Sequence, residues 1–185
     1  GLGDVYKRQE KEIFQRVRET VVSCKNLYVI PSPFLSLFFD GCVEESRDIS
    51  LGCIYNNWGL HGTGLAPAAD MLAAVDRAVF QGEISCETLL QAMETDFSGY
   101  EQLHDFLKNR CPKMGNDDDA VDQYAVWLLD AFARSLRGVT NDRGGIIRAG
   151  TGSAMYYVFH ANALGATADG RHKGCLLYTS PSPRD

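Results

Sequence analysis

Cys42 stands two residues ahead of Glu44 in the glycine-led stretch Gly41-Cys42-Val43-Glu44. A thiol beside a carboxylate at that spacing suits thiol chemistry, with the carboxylate taking or returning a proton. The same residues also describe a small buried thiol next to a solvent-facing carboxylate, since free cysteine is among the most buried residue types. A second cluster, Asn116-Asp117-Asp118-Asp119, offers the oxygen ligands that Mg²⁺ or Ca²⁺ takes. It equally suits a helix N-terminus, where backbone N–H groups and the helix dipole favour negative charge. A long helical stripe follows at once, so capping is the expectation.

The histidines are His61, His104, His160 and His172. None falls in an HxxxH or HExxH spacing, so no metal site is expected. His61 lies in Tyr55–Gly64, YNNWGLHGTG, and reads either as a surface turn histidine or as a candidate, with Asn56 and Trp58, to line a substrate pocket. Gly59, Gly62 and Gly64, and then Gly144, Gly145, Gly150 and Gly152, lack both the dinucleotide-binding spacing and a GK[ST] tail. Tight turns and close backbone approach account for them equally well.

These residues need elements to hold them. Ile13, Phe14, Val17, Val21 and Val22 repeat at helical spacing. Pro31 and Pro33 break the chain, and Phe34–Phe39 reads as a buried strand or a buried helical turn. Asp40–Gly64 reads as a long loop, of the kind that is usually functional. Helical spacing resumes at Leu65 and ends near Phe80–Gly82. Ser85 opens a capping arrangement before a helix whose apolar face is Leu89, Leu90, Ala92 and Met93. Tyr100–Asn109 forms another helix, with Leu103, Phe106 and Leu107 inward. A long helix runs from the acidic cluster to about Arg137, and Gly138 closes it. Asn141–Gly145 is a turn, Ile146 begins a glycine-rich piece, and Met155–Phe159 reads as a strand. The whole is helix-rich α/β.

Composition narrows the class. The chain has 185 residues, 45% hydrophobic and 23% charged, with net charge −6. That is the balance of a globular protein, with no electrostatic footprint for nucleic acid or an anionic membrane. No apolar run approaches the roughly 18 residues a membrane span needs. The odd number of cysteines left after the terminal stretch described below is set aside, with no CxxC pair, argues against a disulfide framework or a structural zinc site. A cytoplasmic protein with reduced thiols is the simpler expectation.

Four stretches together resemble the glycyl-radical enzymes, the pyruvate formate-lyase family. They are SPFLSLFFDGCVEESRDIS, IYNNWGLHGTGLAPAADMLAAVDRAVF, PKMGNDDDAVD and RAGTGSAMYYVFHANALGATADGRHKG, in order between Pro31 and Gly174. The resemblance implies a helix-rich fragment of a ten-stranded α/β barrel. It implies thiyl-radical cleavage of C–C, C–O or C–N bonds of a small-molecule substrate in anaerobic metabolism. No cofactor would be bound directly. A protein-based glycyl radical would be installed by an S-adenosylmethionine and iron–sulfur activating enzyme, and homodimers are common in the family. Two other readings stay open: a non-catalytic barrel homologue, and a nucleotide-binding enzyme.

The family also has a second, downstream segment of the form DGCxExxxD, leading into YN and GLAxxADxLAA. Asp40, Cys42, Glu44, Asp48, Tyr55, Asn56 and Leu65–Ala74 match that segment. The resemblance therefore makes Cys42 a buried scaffold thiol and puts the catalytic cysteine upstream of Glu10. No residue here matches the RVxGY that would hold the radical glycine, so no catalytic residue is expected within this stretch. Two departures leave the substrate open. LGCIYNNW replaces the GGAxYN frequent in relatives, with Cys53 for a small residue, and RAGTGSAMYY departs from the form of the diol dehydratases.

The two ends carry a different signature. Gly1–Gln9, GLGDVYKRQ, and Cys175–Asp185, CLLYTSPSPRD, back-translate to opposite strands of one transposase library adapter. Residues 1–9 and 175–185 are therefore expected to be adapter-derived, and residues 10–174 to be part of a pyruvate formate-lyase-type domain. A fragment of this kind is expected to be inactive and poorly soluble alone.

Overall fold

Periodic apolar spacing becomes helix along most of the chain. The computed structural model describes residues 2–23, 30–82, 84–152 and 156–175, without the side chains of 2–11 and 156–157. Gly1, Cys24, Met155 and the terminal residues 176–185 lie outside the described residues. Helix α1 spans Leu2–Ser23. It buries Val21 and half-buries Phe14 and Val17, while Ile13 and Val22 face solvent. Phe14 stacks on Phe132 at 6.0 Å between ring centroids.

Helix α4, Leu65–Val75, runs on into a π-helical turn at Asp76–Phe80, so the helical stretch ends where its spacing fades. Helix α5, Cys86–Glu94, is capped by Ser85, whose Oγ accepts the Thr88 N–H at 3.0 Å. Leu89 and Ala92 are buried, but Leu90 points outward, which narrows the expected apolar face. In α6, Glu101–Asn109, Leu107 is fully buried. Helix α7, Asp119–Leu136, is capped by Asp118, whose Oδ1 accepts the Ala120 N–H at 2.9 Å. The acidic cluster thus serves a helix start.

Four local readings change. The expected loop Asp40–Gly64 contains a short helix and a strand: its middle holds α3, Ile49–Gly52, and its end holds β1, Trp58–Gly62. The glycine-rich piece holds β2, Ile147–Thr151. The run read as a strand is instead helix α8, Tyr156–Ala163. A helix satisfies its backbone groups internally, and Ala161, buried at 1% exposure, gives this one its anchor. The Phe34–Phe39 run does form a helical turn, α2, Pro33–Ser36, but it is not buried: Phe34 is 76% and Phe38 70% exposed.

Strands β1 and β2 pair with each other. The Trp58 N–H donates to Ile146 O at 3.0 Å, and Thr151 Oγ1 donates to Gly62 O at 3.1 Å. Both contacts advance in the same direction along the two strands, so the pair is parallel. A parallel pair needs a long crossover, and helices α4–α7 supply it.

The chain divides into two compact units. The first comprises residues 1–61 and 131–150; its core is Val21, Leu136, Val139 and Ile147, with Val17, Trp58, Leu60 and Phe132 against it. The second comprises residues 62–130 and 151–185. One of its clusters gathers Ala74, Ala78, Leu89, Ala92, Phe97 and Leu107, and another packs Ala69 and Ala73 on Val121 and Ala125.

Candidate functional site

The three expected pocket residues lie on the segment that climbs from α3 into β1, within the first unit. Asp48 founds that segment. Its Oδ1 accepts the Ser50 N–H at 3.0 Å, and its Oδ2 accepts the Ser32 N–H at 2.7 Å and the Ser36 hydroxyl at 3.1 Å. The Ser50 N–H foremost, with help from Ser32 and Ser36, holds this carboxyl below the ordinary carboxylate range against the opposing effect of desolvation.

Asn56 is committed to backbone. Its Nδ2 donates to Cys53 O at 2.7 Å, and its own carbonyl accepts Asn141 Nδ2 at 2.6 Å. Asn57 Oδ1 then accepts the Ile146 N–H at 3.0 Å. Asn141, only 7% exposed, also folds its own turn: Oδ1 takes the Arg143 N–H at 3.0 Å and the Gly145 N–H at 2.8 Å. Gly145 must be glycine, because a Cβ there would sit 1.8 Å from Asn56 O. Arg143 reaches Ser50 O at 2.8 Å and lies 6.0 Å from the Trp58 ring, a cation–π distance.

Trp58 and His61 fall on opposite faces of β1. Trp58 and Leu60 turn toward the core, and Gly59 and His61 face out. The His61 ring lies 3.6 Å from the positions where side chains on Gly59 and Gly150 would begin. The three candidates are therefore neighbours in sequence that the structure separates by role. Asn56 joins backbone segments, Trp58 packs, and His61 presents an exposed imidazole.

Cys42 is 2% exposed, and its Sγ lies 3.9 Å from Cys53 Sγ. Burial, and then the neighbouring Cys53, push the Cys42 thiol upward. Glu44 does not turn to Cys42: its Oε2 accepts the Gly41 N–H at 3.1 Å. In the second unit, the His104 and His172 rings lie 4.3 Å apart, and His172 Nδ1 sits 3.2 Å from Asp96 Oδ1. Among the described residues, no group of three or more His, Cys, Asp or Glu is placed to hold a metal ion.

An open cavity of about 760 Å³ in the second unit is lined by Ala78, Ile84, Tyr100, Glu101, Leu103 and Phe106. A smaller one of about 320 Å³ in the first unit is lined by Pro31, Ser36, Cys42, Arg47 and Asp48 among others. Neither is lined by Asn56, Trp58 or His61. Sequence reasoning missed Asn141 and Arg143. The turn they build was legible from its Asn and Gly residues, but its partner segment, with Asn56 85 positions earlier, had no local signal.

Comparison with known proteins gives the wider setting. The family model described as pyruvate formate lyase-like matches residues 2–160. The chain is 36% identical over 159 residues to the probable dehydratase YbiW of Escherichia coli (strain K12), covering 80% of this chain and 20% of that protein. It is 30% identical over 144 residues to trans-4-hydroxy-L-proline dehydratase of Clostridioides difficile, covering 77% of this chain and 18% of that one. The chain thus spans about a fifth of the length of these relatives. A crystal structure of a glycyl radical enzyme from Archaeoglobus fulgidus superposes on 96% of the chain at a TM-score of 0.83, with 31% identity, and the match covers 24% of that structure.

Proposed function

Because the chain belongs to the pyruvate formate lyase-like family, we propose that it is part of a glycyl radical enzyme that cleaves C–C, C–O or C–N bonds of a small molecule by thiyl-radical chemistry. The observation that carries this reading is the 0.83 TM-score to a glycyl radical enzyme over nearly the whole chain. Relatives named as dehydratases favour C–O elimination as the first chemistry to assay.

On this reading the catalytic cysteine and the radical glycine lie in parts of the protein outside residues 10–174. Residues 1–9 and 175–185 are then adapter-derived. Cys42 and Glu44 belong to the scaffold, consistent with the buried thiol and with the Glu44 carboxylate turned to the Gly41 N–H. His61 is the pocket residue of the three, since its imidazole is the one group not already committed to core or backbone. An activating enzyme that uses S-adenosylmethionine and an iron–sulfur cluster would generate the radical, the protein would work in the cytoplasm, and it would pair as a homodimer. No helix among the described residues is long and apolar enough to cross a membrane.

The test begins with recovery of the complete gene. The complete protein, produced without oxygen beside its activating enzyme, should show a protein-based radical by electron paramagnetic resonance. It should then turn over at least one of pyruvate, a diol, choline, hydroxyproline or an arylacetate. A complete gene lacking an upstream cysteine loop and a downstream radical-glycine motif would sink the proposal in favour of a non-catalytic homologue. Substitution His61→Ala in the active protein should raise KM more than it lowers kcat.

A further inference from the structure

We propose that Cys42 and Cys53 are a built disulfide-forming pair, which a low-molecular-weight disulfide oxidises so as to lock the loop Gly41–Cys53. Their Sγ atoms are 3.9 Å apart, against about 2.05 Å in a disulfide. The remaining gap lies within side-chain adjustment, because the two backbones already touch. A Cβ on Gly52 would sit 3.1 Å from Cys42 Cα, and one on Gly41 would sit 2.7 Å from Gly52 O. The loop between the thiols is also folded beforehand. The Arg47 N–H donates to Cys42 O at 2.9 Å, and the Glu45 N–H donates to Gly41 O at 3.0 Å.

The two sulfurs differ in access, which orders the reaction. Cys53 is half-buried, whereas Cys42 is buried at 2% exposure. Cys53 Sγ, as thiolate, attacks one sulfur of the small disulfide. That S–S bond breaks, and one small thiolate leaves with the electron pair. Cys42 Sγ then attacks the Cys53 sulfur, forming the intramolecular bond and releasing the second small thiolate. The two protons from the protein thiols end on the two small thiols. The protein dithiol is oxidised and the small disulfide reduced.

The lock bears on the candidate segment directly, since Asn56 Nδ2 donates to the carbonyl of Cys53 itself. Oxidation would therefore fix the base from which Asn56, Trp58 and His61 rise.

Trypsin makes the test simple, because Arg47 is the one basic residue between the two cysteines. After cleavage, residues 26–47 carry Cys42 and residues 48–77 carry Cys53, and a disulfide is their only link. The full chain is treated with oxidised glutathione in native buffer, alkylated and digested without reductant. The expected result is loss of alkylation at both cysteines and a 26–47/48–77 cross-linked peptide as the dominant disulfide product. The same treatment in urea should scatter the pairing among Cys24, Cys86, Cys111 and Cys175. Recovery of Cys42 as an alkylated peptide beside a Cys53 mixed disulfide would overturn the proposal. So would equal cross-link yields in native buffer and urea, which would reduce the effect to sequence proximity.

Discussion

Asn141 Nδ2 donates to the carbonyl of Asn56 at 2.6 Å, so a buried side chain in one turn holds the approach to a strand 85 positions away. Four further bonds at Asn141, from Arg143 N–H and Gly145 N–H to its Oδ1, from its own N–H to Gly145 O and from Gly144 N–H to its O, make it the hub of the first unit's site segment.

Asn141→Ala should therefore lose about 2–3 kcal/mol of stability, because it removes side-chain bonds and leaves buried backbone groups unpaired. Urea unfolding of the full chain followed by Trp fluorescence would read it, with Trp58 as a local probe. A loss below about 0.5 kcal/mol, the range of an ordinary surface substitution, would show that the hub is not structural.

Asp70 gives a pH signature. Burial raises its carboxyl to about 6, against the lowering by the Met114 N–H, which it accepts at 2.7 Å, and by Lys113. A raised acid pKa means the folded state holds the proton more tightly than the unfolded state. Stability from this group is thus full at low pH and falls as pH rises from about 4, the unfolded carboxyl value, through about 6. After a discount for solvent screening, the loss is on the order of 1–2 kcal/mol. Asp70→Asn keeps an acceptor for the Met114 N–H without the charge. It should match wild type near pH 4 and exceed it at pH 7.5. A difference between the two proteins that does not change with pH would contradict the assignment.

The surface around α2 should make the isolated chain associate. Ile30, Phe34, Leu37 and Phe38 are each more than 60% exposed, and the Phe34 and Phe38 rings meet edge to face at 5.4 Å. Sedimentation velocity of the 185-residue chain should show concentration-dependent oligomers, and Phe34→Ser with Phe38→Ser should reduce them. A wild-type chain that stays monomeric across the concentration series would refute this.

Ser85 tests a local effect. Its Oγ accepts the Thr88 N–H and so caps α5. Ser85→Ala should cost about 1 kcal/mol, and Ser85→Asp should restore most of it. Thermal melts of the three proteins would check the order. Equal Tm values would mean that the second unit does not depend on this cap.

Oxidation should also stabilise. Closing the short Cys42–Cys53 loop removes conformational freedom from the unfolded chain and is expected to add about 2–3 kcal/mol. Calorimetry before and after glutathione treatment should show a higher Tm that reductant reverses and that Cys53→Ser abolishes.

Helices and their caps were legible because their causes are local. The 3.6-residue spacing of Phe14, Val17 and Val21, the Ser85 cap and the Asp118 cap each act within a few residues. The resemblance to the family was legible for a similar reason, since four short motifs in order survive without knowledge of the contacts between them. Strands β1 and β2 were not legible. Each is five residues long and glycine-containing, and exists as a strand because the other lies beside it. For Tyr156–Phe159, aromatic and β-branched content suggested a strand, and the burial of Ala161 within a helix decided otherwise. Which of Asn56, Trp58 and His61 faces solvent, which backbone Asn141 serves and which thiol Cys42 meets were all decided by the tertiary structure. Each depends on a second stretch of chain whose arrival leaves no mark in the residues nearby.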